Sequence, residues 1–386
     1  MLKHLALLTL LIAPSAHANP TEPLRPFFED LAAIKAAKTG RHVRIAWYGD
    51  SAIVSDGYTG VVRQRLQARF GDAGPGFILA APTFDGYLRT GVRLKRTGWT
   101  ANNVISGELE SGRYGYGGIV ASGFGGASAT FEPKKPVHAI EVFFEGQKKG
   151  GRIEILTAGA KDPVAIIETA DKGSEIHRHV FSTPAKDVKI RIAGGPAKVY
   201  GVVLEAADRG IQLDAIGVLG LRARRWLNAD KAHLTAQIAA RKPDLIVLNF
   251  GGNERVDPGL SEKAHKADIV KTLDALRAGQ KDASCLIVGP LAHGVDKDGK
   301  IALDANLDAI YAAQRAAAAD AGCAFFDTIE AMGGKKKALK TWKDKRWLSG
   351  DYAHLTNKGH EELGRLLADW LDAGFDAAVT RHGAQR

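Results

Sequence analysis

The stretch Ile45-Ala46-Trp47-Tyr48-Gly49-Asp50-Ser51 reads as an apolar strand running into a tight turn. A strand that ends this way delivers a serine hydroxyl to the carboxyl edge of a sheet, at the start of the next helix. Backbone N–H groups and the helix dipole favour negative charge there. Gly-Asp-Ser by itself is also ordinary turn chemistry, so its meaning depends on the rest of the chain. Downstream, Val61, Val62, Leu66 and Phe70 fall near one face of a helix expected from about Tyr58 to Phe70. Upstream, Phe27 to Ala37 has helical spacing through Leu31 and Ile34.

The same alternation resumes at Ile211. Strands are expected at Leu213 to Val218, Asp244 to Phe250, Cys285 to Val288 and Cys323 to Phe326. Helices are expected at about Ala229 to Arg241, Glu262 to Ala278, Asp304 to Ala321 and Asn357 to Ala373. This order implies a parallel sheet covered on both faces, with ligands at the carboxyl ends of its strands. Between Tyr87 and Asp208 the texture differs. Short β-like runs, including Ala139 to Phe144, Arg152 to Thr157 and Val199 to Leu204, recur about every ten residues with Gly, Pro, Asp and Lys between them. The expectation is a catalytic α/β unit of residues 19–86 and 209–386, interrupted at 87–208 by a β-sandwich.

Two further stretches lie at an expected strand end and in a loop: Gly251-Gly252-Asn253-Glu254 and Asp351-Tyr352-Ala353-His354. With Ser51, and with Gly220 after the strand Leu213 to Val218, they resemble the four ordered blocks of the SGNH hydrolases, the GDSL-type esterases. That resemblance implies a three-layer α/β/α, flavodoxin-like fold with Ser51 as nucleophile, His354 as general base and Asp351 as its orienting partner. It also implies an oxyanion hole made by the N–H groups of Ser51 and Gly220 and the side-chain amide of Asn253. No metal or other cofactor is expected. Ala52 and Glu254 depart from the commonest residues after the serine and asparagine, and are expected to bear on substrate shape. A sandwich between the first two blocks looks like the peptidoglycan O-acetylesterases, whose insert is a jelly-roll-like, carbohydrate-binding-type module. Removal of acetyl groups from the 6-position of muramyl residues is then the expected reaction. An O-acetyltransferase using the same acyl-serine and a glycan-binding adaptor with a degenerate hydrolase domain are the competing readings.

The remaining features bear on setting and substrate. Lys3 and His4, the apolar run Leu5 to Ala13 and Ala16-His17-Ala18 read as a secretory signal cleaved after Ala18, hence a periplasmic or secreted protein. No run is long enough for stable membrane insertion. The 386-residue chain has a net charge of +10, which suits an anionic envelope polymer, while nucleic-acid motifs are absent. Cys285 and Cys323 open neighbouring strands and either pair or stay as buried thiols. Trp342 and Trp347, in a basic stretch from Lys335, are candidate sugar-stacking residues or else anchors of a solvated loop, and Tyr114 and Tyr116, in the insert, are candidate sugar-stacking residues or else packing residues of the sandwich. Trp99 and Phe124 could act likewise or simply pack. His177 and His179 alternate on one strand and read as a surface pair without a third metal ligand. Oligomeric state is not legible.

Overall fold

The computed structural model describes residues 20–170, 173–298 and 300–384. The expected signal segment lies outside them. The strands are β1 (His42–Gly49), β2 (Gly76–Ile78), β3 (Val92–Asn103), β4 (Ile119–Pro133), β5 (Val137–Glu145), β6 (Arg152–Thr157), β7 (Ala165–Glu168), β8 (Ser174–Ala185), β9 (Val188–Ala193), β10 (Ala197–Glu205), β11 (Gly210–Gly217), β12 (Leu245–Asn249), β13 (Ser284–Val288), β14 (Gly294–Lys297), β15 (Lys300–Leu303) and β16 (Ala324–Phe326). The α-helices are α1 (Arg25–Lys35), α2 (Ser51–Val54), α3 (Gly57–Phe70), α4 (Lys231–Arg241), α5 (Glu262–Arg277), α6 (Asn306–Ala321), α7 (Thr328–Ala331), α8 (Ala338–Asp344) and α9 (Asn357–Ala384). Among the described residues no helix is long and apolar enough to cross a membrane.

β11, β1, β12, β13 and β16 form a parallel sheet in that order. Side chains alternate between its faces, as the two-residue period of a strand requires. Val43, Ile45 and Trp47 pack with α1, α3 and α9, through residues such as Leu31, Leu66 and Leu367. Ala46 and Tyr48 point the other way, into a core with Leu234, Ile238, Ile269 and Leu273 of α4 and α5. Burial on both sides explains why the strands read as continuous apolar runs. The chain goes from β1 to β11 on one side, then to β12 on the other. That reversal opens a crevice beyond the carboxyl ends of β1 and β12.

The intervening strands form an antiparallel sheet, in the order β7-β6-β9-β4-β10-β5-β8, with β3 beside β4 and β2 beside β10. β2 already joins it, ahead of Tyr87. The long β3 and β4 pair over most of their length and break register between Thr97 and Trp99. Gly98 there has φ +75° and Gly126 in β4 has φ +94°, conformations that glycine adopts without steric cost. Buried groups weld the two sheets together: Asp214 of β11 accepts from Phe77 N–H (2.7 Å), the Tyr116 hydroxyl (2.9 Å) and Arg241 Nε (2.8 Å).

Several details differ from the sequence reading. α9 continues past Ala373 to Ala384, and the β14–β15 hairpin between β13 and α6 has no counterpart in it. Cys285 and Cys323 are joined as a disulfide, with Cα atoms 4.7 Å apart. β13 and β16 being adjacent parallel strands brings them together.

Candidate active site

β1 closes on Gly49, where a side-chain carbon would stand 2.9 Å from the Asn249 carbonyl oxygen. Asp50 caps the short helix α2, its Oδ1 accepting the Ala52 N–H at 3.0 Å, so Ser51 occupies the first helical position. On the far side of the crevice, Asp351 organises its own loop. Its Oδ1 accepts the N–H groups of Ala353 and His354 at 3.0 Å each, and its Oδ2 lies 2.6 Å from His354 Nδ1. Burial alone would raise this carboxyl, but the bonds to the His354 ring and the two backbone N–H groups outweigh it and hold Asp351 at about 2. A carboxylate can only accept, so Nδ1 carries the proton and the Nε2 lone pair is left for its partner. That partner is Ser51 Oγ, 3.1 Å away. Ser51 and His354, 303 positions apart in sequence, thus join Asp351 in one hydrogen-bonded line.

A cavity of about 80 Å³ opens beside it, walled by Ser51, His354, Asp50, Asn253, Gly252 and His293 among others. Asn253 Nδ2 donates to Asp50 Oδ2 (3.2 Å) and to the Leu221 carbonyl (3.0 Å). Both hydrogens are thus occupied, and serving an oxyanion requires exchanging the Asp50 bond. Gly220 lies in the adjoining Val218–Leu221 turn with φ +76° and no atom within 4 Å of where a Cβ would stand. Its need for glycine here is conformational.

Four site residues escaped the sequence reading or were misread. Glu254 is buried, 3% exposed, and its two oxygens accept the Ala223 N–H (2.8 Å) and the Gly251 N–H (3.0 Å). It ties the Gly220 turn to the Asn253 turn and does not face substrate, which corrects its expected role in substrate shape. Burial pushes its carboxyl up to about 7. Asp50 is likewise pushed up to about 6 by burial. Asn249, closing the apolar run Leu245 to Leu248, accepts from Tyr58 and Trp47 and donates to the Val288 carbonyl. A polar residue ending such a run was the available signal. His293 gave none.

The candidate sugar-stacking residues fare worse. Tyr114 and Tyr116 are fully buried, their hydroxyls bonded to Leu109 N–H and Asp214. Trp342 is 2% exposed and donates to the Met332 carbonyl. These three are core residues, because large aromatic area is worth most when removed from water. Trp347 is half-buried, edge-on to Trp342, with Lys345 4.3 Å over its ring. Trp99 donates to the Ser128 carbonyl, whereas Phe124 is 66% exposed. His177 and His179 sit on β8, and among the described residues no three His, Cys, Asp or Glu are placed to hold a metal.

Residues 193–362 match the GDSL-like lipase/acylhydrolase family. The matched span holds Gly220, Asn253, Asp351 and His354, while Ser51 precedes the antiparallel sheet. No curated protein matches the chain. A structure described as a peptidoglycan O-acetylesterase superposes with a TM-score of 0.77 at 22% identity, covering 91% of this chain and 96% of that one. A lipase/acylhydrolase from Enterococcus faecalis aligns with a TM-score of 0.32 at 16% identity, over 42% of this chain and 75% of that one. A family two carbohydrate esterase from Cellvibrio japonicus gives 0.30 at 11%, over 74% and 98%.

Proposed function

We propose that this carboxylic ester hydrolase, which resembles the SGNH/GDSL-type serine esterases, removes O-acetyl groups from a cell-envelope polysaccharide, peptidoglycan, after export. The observation that carries the chemistry is the line Ser51–His354–Asp351, with Nε2 free to accept the serine proton. Ser51 Oγ gives that proton to Nε2 as it attacks the acetyl carbonyl carbon. The imidazolium returns it to the departing sugar oxygen, and the acetyl group remains on Ser51. A water then loses a proton to Nε2, attacks the acyl carbon and releases acetate, and Ser51 recovers its proton. The oxyanion of each step is held by the Ser51 and Gly220 N–H groups and by Asn253.

Three observations support the substrate. The cavity of about 80 Å³ suits a two-carbon acyl group. The superposition with the peptidoglycan O-acetylesterase structure extends over the antiparallel sheet as well as the parallel one. The disulfide agrees with an oxidising compartment. The test is acetate release from O-acetylated cell walls compared with acetylated xylan, using wild type and Ser51→Ala. Preferential release from walls, lost in Ser51→Ala, is expected. Preference for xylan would overturn the wall substrate, and activity retained by Ser51→Ala would overturn the serine mechanism.

A further inference from the structure

His293 closes the wall of the catalytic cavity and takes no part in the reaction line. It follows β13 and precedes the β14–β15 hairpin, whose two roots are pinned at the site. Asp304 N–H donates to the His293 carbonyl at 2.9 Å, and Gly294 N–H donates to the carbonyl of Tyr352, in the loop between Asp351 and His354, at 2.8 Å. The ring is therefore held in a fixed place relative to His354. Its Nδ1 lies 2.8 Å from the Leu291 carbonyl oxygen. A carbonyl cannot donate, so Nδ1 carries hydrogen and Nε2 bears a bare lone pair. Burial pushes this imidazole down to about 4, keeping it neutral at ordinary pH.

Nε2 faces the space over Gly252. A Cβ added there would meet His293 Nε2 at 3.3 Å and Asp50 Oδ2 at 3.3 Å. The lack of a side chain at Gly252 lets the His293 ring and Asp50 Oδ2 both close in on its backbone, and both acceptors line the cavity beside Ser51. A fixed acceptor selects a ligand that donates. An acetyl group has a methyl and a carbonyl and offers no donor, so within the ester the donor belongs to the alcohol half.

We propose that His293 is a specificity-determining residue, whose Nε2 accepts a hydrogen bond from a free hydroxyl of the sugar carrying the acetyl group. The inference rests on the saccharide-ester reading of this site and adds the contact that distinguishes the sugar from other alcohols. Arg255 also lines the cavity, but its Nη1 is bound to Asp304 at 2.8 Å, so the pair brings no strong net charge to the subsite. A neutral hydroxyl suits it.

The experiment compares kcat/KM for a 6-O-acetyl hexosamine, for its deoxy counterparts that each lack one ring hydroxyl, and for nitrophenyl acetate. Wild type should favour the parent sugar over one deoxy counterpart by roughly tenfold, the yield of one hydrogen bond to a neutral group. In His293→Ala that preference should vanish, and the parent sugar should lose about tenfold more than nitrophenyl acetate does. His293→Gln, with a carbonyl oxygen near the Nε2 position, should restore part of the preference; a purely structural role would not. Circular dichroism checks that both variants fold. Retention of the preference in His293→Ala, or equal losses on sugar and aryl esters, would overturn the inference and leave the saccharide reading standing. A wild type that cleaves nitrophenyl acetate but none of the sugar esters would sink both.

Discussion

At the scale of single residues, the site is governed by carboxyl groups whose surroundings push them in opposite directions. Asp351 is held ionised by donors, whereas Asp50 and Glu254 are pushed up by burial. Glu254 gives a pH prediction. Its folded-state value of about 7 lies above the ordinary 4.5, so the folded protein keeps a proton that the unfolded chain has lost. The stability associated with that proton is fully present below about 4.5 and is lost as pH rises through about 7, a loss on the order of 3 kcal/mol. Glu254→Gln does not titrate. Its melting temperature relative to wild type should therefore climb between about pH 4.5 and 8. An offset that stays constant over that range would show that the Glu254 carboxyl is not shifted. Residue types at the candidate positions were legible because the proposed chemistry demands a nucleophile, a base and an orienting acid. The clamp role of Glu254 was not, because its partners are backbone N–H groups that any residues could supply.

At the scale of elements, the helix pair after the serine depends on one buried anion. Asp56 joins α2 to α3 with φ +51° and is 1% exposed. It accepts from both terminal nitrogens of Arg63 (3.0 and 2.8 Å), from the Thr59 hydroxyl and from Thr90 N–H, with Arg89 3.5 Å away. Burial would raise this carboxyl, but Arg63 and Arg89 outweigh it and hold it below its ordinary value. Asp56→Ala should leave two buried guanidinium groups without their counter-ion and cost about 3–5 kcal/mol. Urea denaturation measures this directly, and a loss under about 1 kcal/mol would mean that water or relaxation replaces the anion. Helix and strand positions were legible from their periods. The β14–β15 hairpin was not, since its strands are four residues each and only partly buried, which leaves little apolar alternation to read.

At the scale of the whole molecule, the two sheets share a core. A single buried cluster includes Tyr48, Ile216 and Leu248 of the parallel sheet together with Phe77, Ile140 and Val202 of the antiparallel one. Arg241, Asp214 and Tyr116 add a buried polar link across the same boundary. Thermal unfolding followed by calorimetry should show one cooperative transition, because neither sheet can open without exposing the other's core. Two resolved transitions would mean that the sheets are stable separately. The shared core also explains why Tyr114 and Tyr116, candidates for sugar stacking or packing in the sequence, are interior.

The sequence by itself determined the parallel sheet and the β-rich insertion, and it named Ser51, Asn253, Asp351 and His354 as candidates. These follow from local periodicity and from residue chemistry, which are written along the chain. Only the tertiary structure decided which aromatics are buried, that Cys285 meets Cys323, and that Asp50, Glu254 and His293 surround the serine. Each of those depends on which distant segments come to lie side by side and on how much water they exclude. Such proximity belongs to the packed molecule, since a residue's neighbours across a sheet leave no periodic trace in its own stretch of chain.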